Sequence, residues 1–279
     1  MILITGASTG IGLATALHFH KKGEFVVPCV RTESDKNKLL SLVNENKNNW
    51  HPVILDVTKS EQIHSAFLEI KNLKKPLKVL INNAGIVVTG PIEFVEINRF
   101  RNQFDVNVFG LLEVTQKFMP LLRESEGRII NISSIAGKTV TPLLGPYCAS
   151  KHVVEVISDA LRMELRETNL KVILIEPGSI QTPIWTKSTE GALNDQKSYS
   201  TEVHKYYGPL IKNFEKLVAV LARRGGPVES VVEKIDQAVY SQCPKARYLV
   251  GRDAKISIIQ NLLPDKLRDK IVYNVVRGK

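Results

Sequence analysis

The sequence predicts an α/β fold: a single domain over residues 1–279, built on a doubly wound parallel sheet. Apolar runs alternate with helical patterns from the first residue, as repeated βα units require. The runs are nearly continuous Val, Ile and Leu, the composition of strands buried on both faces. A glycine-rich turn, Thr5-Gly6-Ala7-Ser8-Thr9-Gly10-Ile11-Gly12, joins the first run to the first helical stretch.

In order, Ile2–Ile4 reads as a strand and Gly10–Lys22 as a helix. Phe25–Val30 is the second strand, where Pro28 suggests a bulge or an early end. Pro52–Leu55 follows as a strand, then Glu61–Lys71 as a helix with Ser60 as its cap. Leu77–Ile81 is a strand, and residues 98–122 form a long helical stretch. Gly127–Ile132, Tyr147–Glu167 and Lys171–Ile175 continue as strand, helix and strand. Residues 181–226 break the rhythm; so long an excursion reads as a lid or binding loop. Val228–Tyr240 is a helix, Tyr248–Val250 a short strand, and residues 252–279 a basic, amphipathic helical tail.

Composition narrows the class. Hydrophobic content of 43% and charged content of 24% are those of a soluble globular chain. Cys29, Cys148 and Cys243 form neither a disulfide pattern nor a metal-ligand spacing, and the six histidines do not cluster, so no metal is expected. Reduced thiols suit a cytoplasmic location. No apolar run approaches the roughly 20 residues of a membrane span, and the N-terminus reads as strand, not leader. The net charge of +10 fits either a polyanion-binding surface or a solvated lysine-rich face with a few groups for an anionic cofactor. The basic residues are scattered and not interleaved with aromatics, which argues against nucleic acid. The most basic stretch, 245–279, leaves room for peripheral contact with anionic lipid.

The chemistry concentrates at a few places. Gly6, Gly10 and Gly12 permit a tight turn and close approach to a pyrophosphate, with Ser8, Thr9 and Ile11 between them and a helix N-terminus beyond. Arg31, at the end of the second strand, suits a 2′-phosphate and favours NADP(H) over NAD(H), although Glu33 and Asp35 lie close. Asp56, after the third strand, is placed either for an adenine edge or as a helix cap. Asn83, Ala84 and Gly85 follow the fourth strand, where small residues and amides can meet a cofactor. Ser134 follows the fifth strand as a donor toward a reacting oxygen. Tyr147 and Lys151 stand four residues apart, on one face of a helix. A lysine cation there would lower the phenol from its usual value of about 10 toward neutral pH.

These motifs, in this order and spacing, resemble the short-chain dehydrogenase/reductase family over essentially the whole chain, and so imply its Rossmann-like fold. The resemblance implies catalytic roles for Ser134, Tyr147 and Lys151, with Asn107 completing a tetrad by interrupting a helix and holding a water that relays protons. It places Pro177, Gly178, Ile180 and Thr182 over the nicotinamide. Gly145–Lys151 and Arg247–Gly251 look most like the hydroxysteroid and retinol dehydrogenase-like branch, in which an Arg at the Arg31 position accompanies NADP(H).

The expected reaction is hydride transfer between NADP(H) and a carbonyl or alcohol. Ile135, Val140, Leu143, Leu144, Ile184, Trp185, Tyr206 and Tyr207 are candidate walls for a lipophilic ketone, aldehyde or secondary alcohol, with Ser134 and Tyr147 at its oxygen. The competing readings are an NAD-linked dehydrogenase of small hydroxy compounds and a non-catalytic NADP(H)-binding sensor. The resemblance also implies a homo-oligomer, joined through the helices around 98–122 and 147–167.

Overall fold

The computed structural model describes residues 1–184 and 200–277. Seven strands form one sheet: β1 (Ile2–Ile4), β2 (Val26–Val30), β3 (Val53–Ile54), β4 (Val79–Asn82), β5 (Arg128–Ile132), β6 (Lys171–Pro177) and β7 (Arg247–Val250). Their spatial order is β3-β2-β1-β4-β5-β6-β7, all parallel. The chain winds outward from β1 to β3, then returns to β1's other side with β4. That reversal opens a crevice beyond the carboxyl ends of β1 and β4, where doubly wound sheets bind ligands.

Helices α1 (Gly10–Lys21), α2 (Glu33–Leu42), α3 (Ser60–Asn72), α4 (Ile97–Phe104), α5 (Leu111–Glu124) and α6 (Gly145–Glu164) fill the crossovers as far as β6. Period-two alternation sends β-strand side chains into two apolar layers. Ile2, Ile4, Ile81, Ile130, Ile173 and Ile175 pack with Phe19, Val231 and Ile235 on one face. Leu3, Val27, Leu80, Ile129 and Val172 pack with Ile63, Ile70, Val114 and Phe118 on the other. Between β4, β5 and α6 runs a buried polar ladder: Asn82 Nδ2 donates to Asn131 Oδ1 at 2.9 Å, and Asn131 Nδ2 to Ser158 Oγ at 2.8 Å. These amide hydrogen bonds tie α6 to β5 across the core.

Several expectations need correcting. β2 continues through Pro28, without a break. Val26 and Val30 aim their carbonyls at His51 N and Leu55 N, so Pro28, two residues from each, turns its missing donor toward the short edge strand β3. Ser60 does not cap α3; it is the first helical residue, after Lys59. The turn ahead of α3 is ordered instead by Asp56, whose Oδ1 accepts from Thr58 N at 3.0 Å. The excursion contains a 24-residue helix, α7 (Thr201–Arg224), which buries Val203, Ile211, Phe214 and Val218 against the Tyr147 region. Then come α8 (Val228–Tyr240), β7 and a tail of two helices, α9 (Arg252–Gln260) and α10 (Asp265–Arg277). α10 docks on α7, where Asn213 Nδ2 donates to Arg277 O at 3.0 Å and Val276 is buried.

Candidate active site

The glycine-rich turn after β1 is tied to the end of β4. Asn83 Nδ2 donates to Thr5 O at 2.9 Å and Gly6 O at 3.0 Å, while Thr5 Oγ1 accepts from Asn83 N and Ala84 N. Gly6 has φ +64°, and a Cβ there would stand 2.7 Å from Ala84 Cα. A Cβ at Gly12 would overlap Asn83 Nδ2 and Gly6 O. The first glycine thus lets two strand ends meet, and the last lets α1 begin against them. Gly10, at φ +58°, packs close to Thr182, where a Cβ would stand 3.5 Å from Thr182 Cβ, and both line a cavity of about 350 Å³.

That cavity lies at the sheet's topological switch. Gly6, Ser8, Thr9, Gly10, Ile11, Arg31, Asp56, Asn83, Ala84, Gly85, Ser134, Tyr147, Lys151, Pro177, Gly178, Ile180 and Thr182 all line it. Gly12 and Asn107 stand behind its wall. The glycine cradle and the exposed Arg31 at its rim suit an extended, phosphate-bearing ligand such as a dinucleotide. Among the described residues Arg31 makes no ion pair, and Asp35 turns away to Thr32, accepting its hydroxyl at 3.0 Å.

The reactive groups come from three elements. Between α4 and α5 the helix widens into a π turn, Asp105–Gly110. Such single π turns occur where a helix must redirect a side chain. Asn107, 1% exposed, accepts Ile86 N at 2.9 Å and donates to Ser150 Oγ at 3.1 Å. Ser134 opens a 3₁₀ turn, Ile135–Gly137, and caps it by accepting Ala136 N at 3.1 Å. Its hydroxyl donates to Pro177 O at 3.4 Å. Tyr147 and Lys151 lie one turn apart on α6, and Lys151 Nζ donates to Ile132 O, at the end of β5, at 2.7 Å.

Electrostatics here depart from the expectation that Lys151 draws the phenol down. Burial pushes Tyr147 up to about 12, against the smaller lowering effect of the neighbouring Ser134 hydroxyl. Burial also draws Lys151 down to about 8, with Glu155 opposing. Desolvation outweighs pairing here. The site holds a neutral phenol beside an ammonium that gives up its proton readily.

The expected pocket walls separate. Leu143 and Leu144 pack with Tyr147, Cys148, Val203 and Phe214 in one apolar cluster that Tyr207 and Phe94 flank. Tyr207 donates to Glu93 Oε2 at 2.6 Å, so this residue of α7 is fastened to the segment after β4. Ile184 lines the cavity, and Ile135 is half-buried in the 3₁₀ turn. Val140 and Tyr206 are each 61% exposed and face outward; on α7, Tyr206 leaves the inner face to Val203 and Tyr207. Trp185 lies outside the described residues. Sequence reasoning missed Asp253, whose Oδ2 accepts Ser179 N at 2.7 Å and holds the Pro177–Ser179 segment in place. Its only sequence signal was an acid soon after β7. Also missed were Thr58 and Asn102, which line the cavity.

Comparison with known proteins agrees with this fold. The sequence model of the family described as short chain dehydrogenase matches residues 1–193. An NADPH-dependent 3-dehydrocapnine reductase from Ornithobacterium rhinotracheale is 39% identical over 97% of this chain and 95% of its own length. Dehydrogenase/reductase SDR family member 9 from Bos taurus is 37% identical over 91% of this chain and 81% of its own. Among solved structures, a single-substitution variant of actinorhodin polyketide ketoreductase with NADPH superposes with a TM-score of 0.74 at 27% identity, covering 89% of this chain and 94% of that one.

The two shifted groups predict opposite pH trends in stability. Between about pH 8 and 10.5 the unfolded chain holds the Lys151 proton better, so stability climbs through that window and the desolvated ammonium costs most below it. The fold holds the Tyr147 proton better, so that contribution is present below pH 10 and is lost as pH rises through 12. Lys151→Met should therefore stabilise the free protein at pH 7 by about 1–3 kcal/mol in urea denaturation, a gain that shrinks at alkaline pH. A variant less stable than wild type at pH 7 shows instead that the Ile132 bond outweighs desolvation.

Proposed function

This chain belongs to the short-chain dehydrogenase/reductase family of oxidoreductases, which act between CH–OH and carbonyl groups with a nicotinamide cofactor, and we propose that it uses NADP(H) on a lipophilic carbonyl or alcohol. The observation that carries the cofactor choice is Arg31, exposed at the cavity rim without an acidic partner among the described residues. A guanidinium there pairs with a 2′-phosphate, whereas an NAD site places a carboxylate at this strand end. The relative from Ornithobacterium, named as NADPH-dependent, supports the same choice.

In this reading the turn from Gly6 to Gly12 holds the pyrophosphate on the N-terminus of α1, and Asp56 meets the adenine edge. Asn83, Ala84 and Gly85 bound the cofactor from β4. Pro177, Gly178, Ile180 and Thr182 close over the nicotinamide end, braced by Asp253. A nicotinamide bound there would supply or accept the hydride and, in its oxidised form, would add a positive charge near the phenol. Tyr147 gives its proton to the carbonyl oxygen during reduction and takes it back during oxidation, while Ser134 donates to that oxygen and holds it. Lys151 favours the phenolate and bonds the nicotinamide ribose. Asn107 anchors the π turn to Ile86 and Ser150 and, as in the family's proton relay, orders the path from Lys151 outward. The apolar cluster of Leu143, Leu144, Val203, Tyr207 and Phe214 beside Tyr147 favours a bulky lipophilic substrate over a small hydroxy compound.

Two surface contacts extend the reading. Exposed apolar side chains stand at Phe109, just ahead of α5, and at Val156 and Met163 on α6, a composition suited to self-association. The tail exposes Ile256, Ile259 and Leu262 near Lys266 and Lys270, a composition suited to peripheral contact with anionic lipid. Sedimentation velocity should show an oligomer, and anionic vesicles should retain protein at low salt; a monomer, or no vesicle-bound protein, removes the respective contact.

The deciding experiment is parallel titration of the protein with NADPH and NADH. NADPH should bind at least tenfold tighter, and Arg31→Ala should erase that preference. Tyr147→Phe should keep cofactor binding and lose at least 100-fold in kcat on a reducible lipophilic carbonyl. Equal affinity for the two cofactors, or ordinary turnover by the phenylalanine variant, overturns the assignment.

A further inference from the structure

Two acids that the proposed mechanism does not use lie beneath the site. Glu176 interrupts the apolar run of β6 and is 1% exposed; Glu155, one turn beyond Lys151 on α6, is 3% exposed. The two carboxyls meet at one guanidinium nitrogen, Arg247 Nε, which lies within 3.1 Å of an oxygen of each. Nearby cations serve them unequally. Lys138 Nζ lies 2.9 Å from Glu155 Oε2. Arg247 Nε gives its single hydrogen to that same oxygen at 3.1 Å. It stands 3.0 Å from Glu176 Oε1 without supplying a hydrogen bond there. Arg247 Nη2 is engaged by Asp159 at 2.6 Å, which also holds Arg162.

Glu155 Oε1 and Glu176 Oε1 are consequently both buried, and neither receives a hydrogen from the groups around the pair. Two adjacent carboxylates out of water do not both ionise at neutral pH, and one proton between them gives each orphaned oxygen a partner. The cations converge on Glu155 Oε2, so the charge stays on Glu155 and the proton on Glu176. Burial and the Glu155 charge push Glu176 up to about 7, in keeping with that allocation.

The pair touches the site on two sides. Gly137, in the turn that Ser134 opens, packs so closely that a Cβ would stand 2.9 Å from Glu155 Cγ, 2.9 Å from Lys151 O and 3.0 Å from Ser133 Oγ. Glu176 immediately precedes Pro177, whose carbonyl accepts the Ser134 hydroxyl at 3.4 Å. The Glu155 charge also acts on Lys151, opposing the effect of its burial. The other charged groups around the pair are Asp159 and Arg162 on α6, Lys138 after the 3₁₀ turn, Arg247 on β7, and Asp253 on α9, whose carboxylate is engaged by Ser179 N.

We propose that Glu155 and Glu176 share a single proton, and that the negative charge left on Glu155 is a positioning charge that keeps Lys151 an ammonium at the pH of turnover. The proposal rests on the reading that Lys151 serves Tyr147. Glu155 acts through the lysine and touches neither substrate nor cofactor.

The test compares Glu155→Gln and Glu176→Gln in the full chain by two readouts: the pH profile of kcat for carbonyl reduction, and the infrared C=O stretch of protonated carboxyls in the free protein. Glu155→Gln should move the alkaline limb of kcat down by about one pH unit, because Lys151 loses its proton earlier. Glu176→Gln replaces a protonated acid with a neutral amide that still donates to Glu155, so the limb should stay in place. A carboxyl band present in the wild type at about pH 6, above the range where ordinary carboxyls ionise, should vanish in Glu176→Gln. A folded Glu155→Gln with the wild-type limb, equal shifts in both variants, or an unchanged band overturns the proposal. Should a variant fail to fold, the wild-type band decides: a midpoint near about 7 supports the shared proton, and loss of all carboxyl bands below about pH 5 excludes it. If the wild type reduces no carbonyl, the functional reading fails, while the infrared arm still reports on the pair.

Discussion

The site depends on a single desolvated ammonium. Lys151 brings its charge into the core at the carboxyl end of β5, where the Ile132 carbonyl accepts it. An isolated buried cation is costly, so its neighbourhood has to compensate. α6 supplies Glu155 one turn on, and the amide ladder through Asn82, Asn131 and Ser158 fixes that helix over the sheet. Asn107 reaches Ser150, beside the lysine, from a widened helical turn. Residues far apart in the chain therefore serve one cation, and the parallel sheet is the frame on which they converge.

The proposed cofactor cradle and proton-transfer groups share that frame. The reversal of strand order between β1 and β4 creates the crevice, and Asn83 locks its two sides through Thr5 and Gly6. β5 delivers Ser134, α6 delivers Tyr147, and β6 delivers the Pro177–Ser179 segment, which Asp253 holds from the far end of the chain. α7 covers the apolar side, with Tyr207 fastened to Glu93. In the proposed reading, chemistry and specificity come from different layers: the sheet ends fix the reacting groups, and the late helices shape what can approach them.

Much of this was legible in the chain because its signals are local. The glycine turn, the Asn83–Gly85 run and the Tyr147–Lys151 spacing each sit at a strand end or on one helical face, and parallel strands announce themselves by composition. Signals that depend on folding were not legible. The helix α7 is masked by Gly208-Pro209 in its middle, a pair that reads as a turn. Pro28 reads as a strand breaker until the strand's unpaired side is known. The phenol's direction of shift was misjudged because a spacing rule sees the neighbouring charge but not the burial. Glu155 and Glu176 had faint signals, an acid four residues after Lys151 and a lone carboxyl in an apolar strand, but their meeting is visible only in three dimensions.

Burial keeps Tyr147 a neutral phenol in the free protein, and the central proposal is that an oxidised nicotinamide bound beside Lys151 would turn it into a base. The most direct measurement is ultraviolet titration of phenolate in the wild type minus Tyr147→Phe, without and with saturating NADP⁺. The account predicts no Tyr147 phenolate at about pH 9 in the free protein, and a midpoint at least about one pH unit lower once NADP⁺ is bound. A Tyr147 phenolate already present near neutral pH in the free protein, or a midpoint that NADP⁺ leaves unmoved, would contradict it.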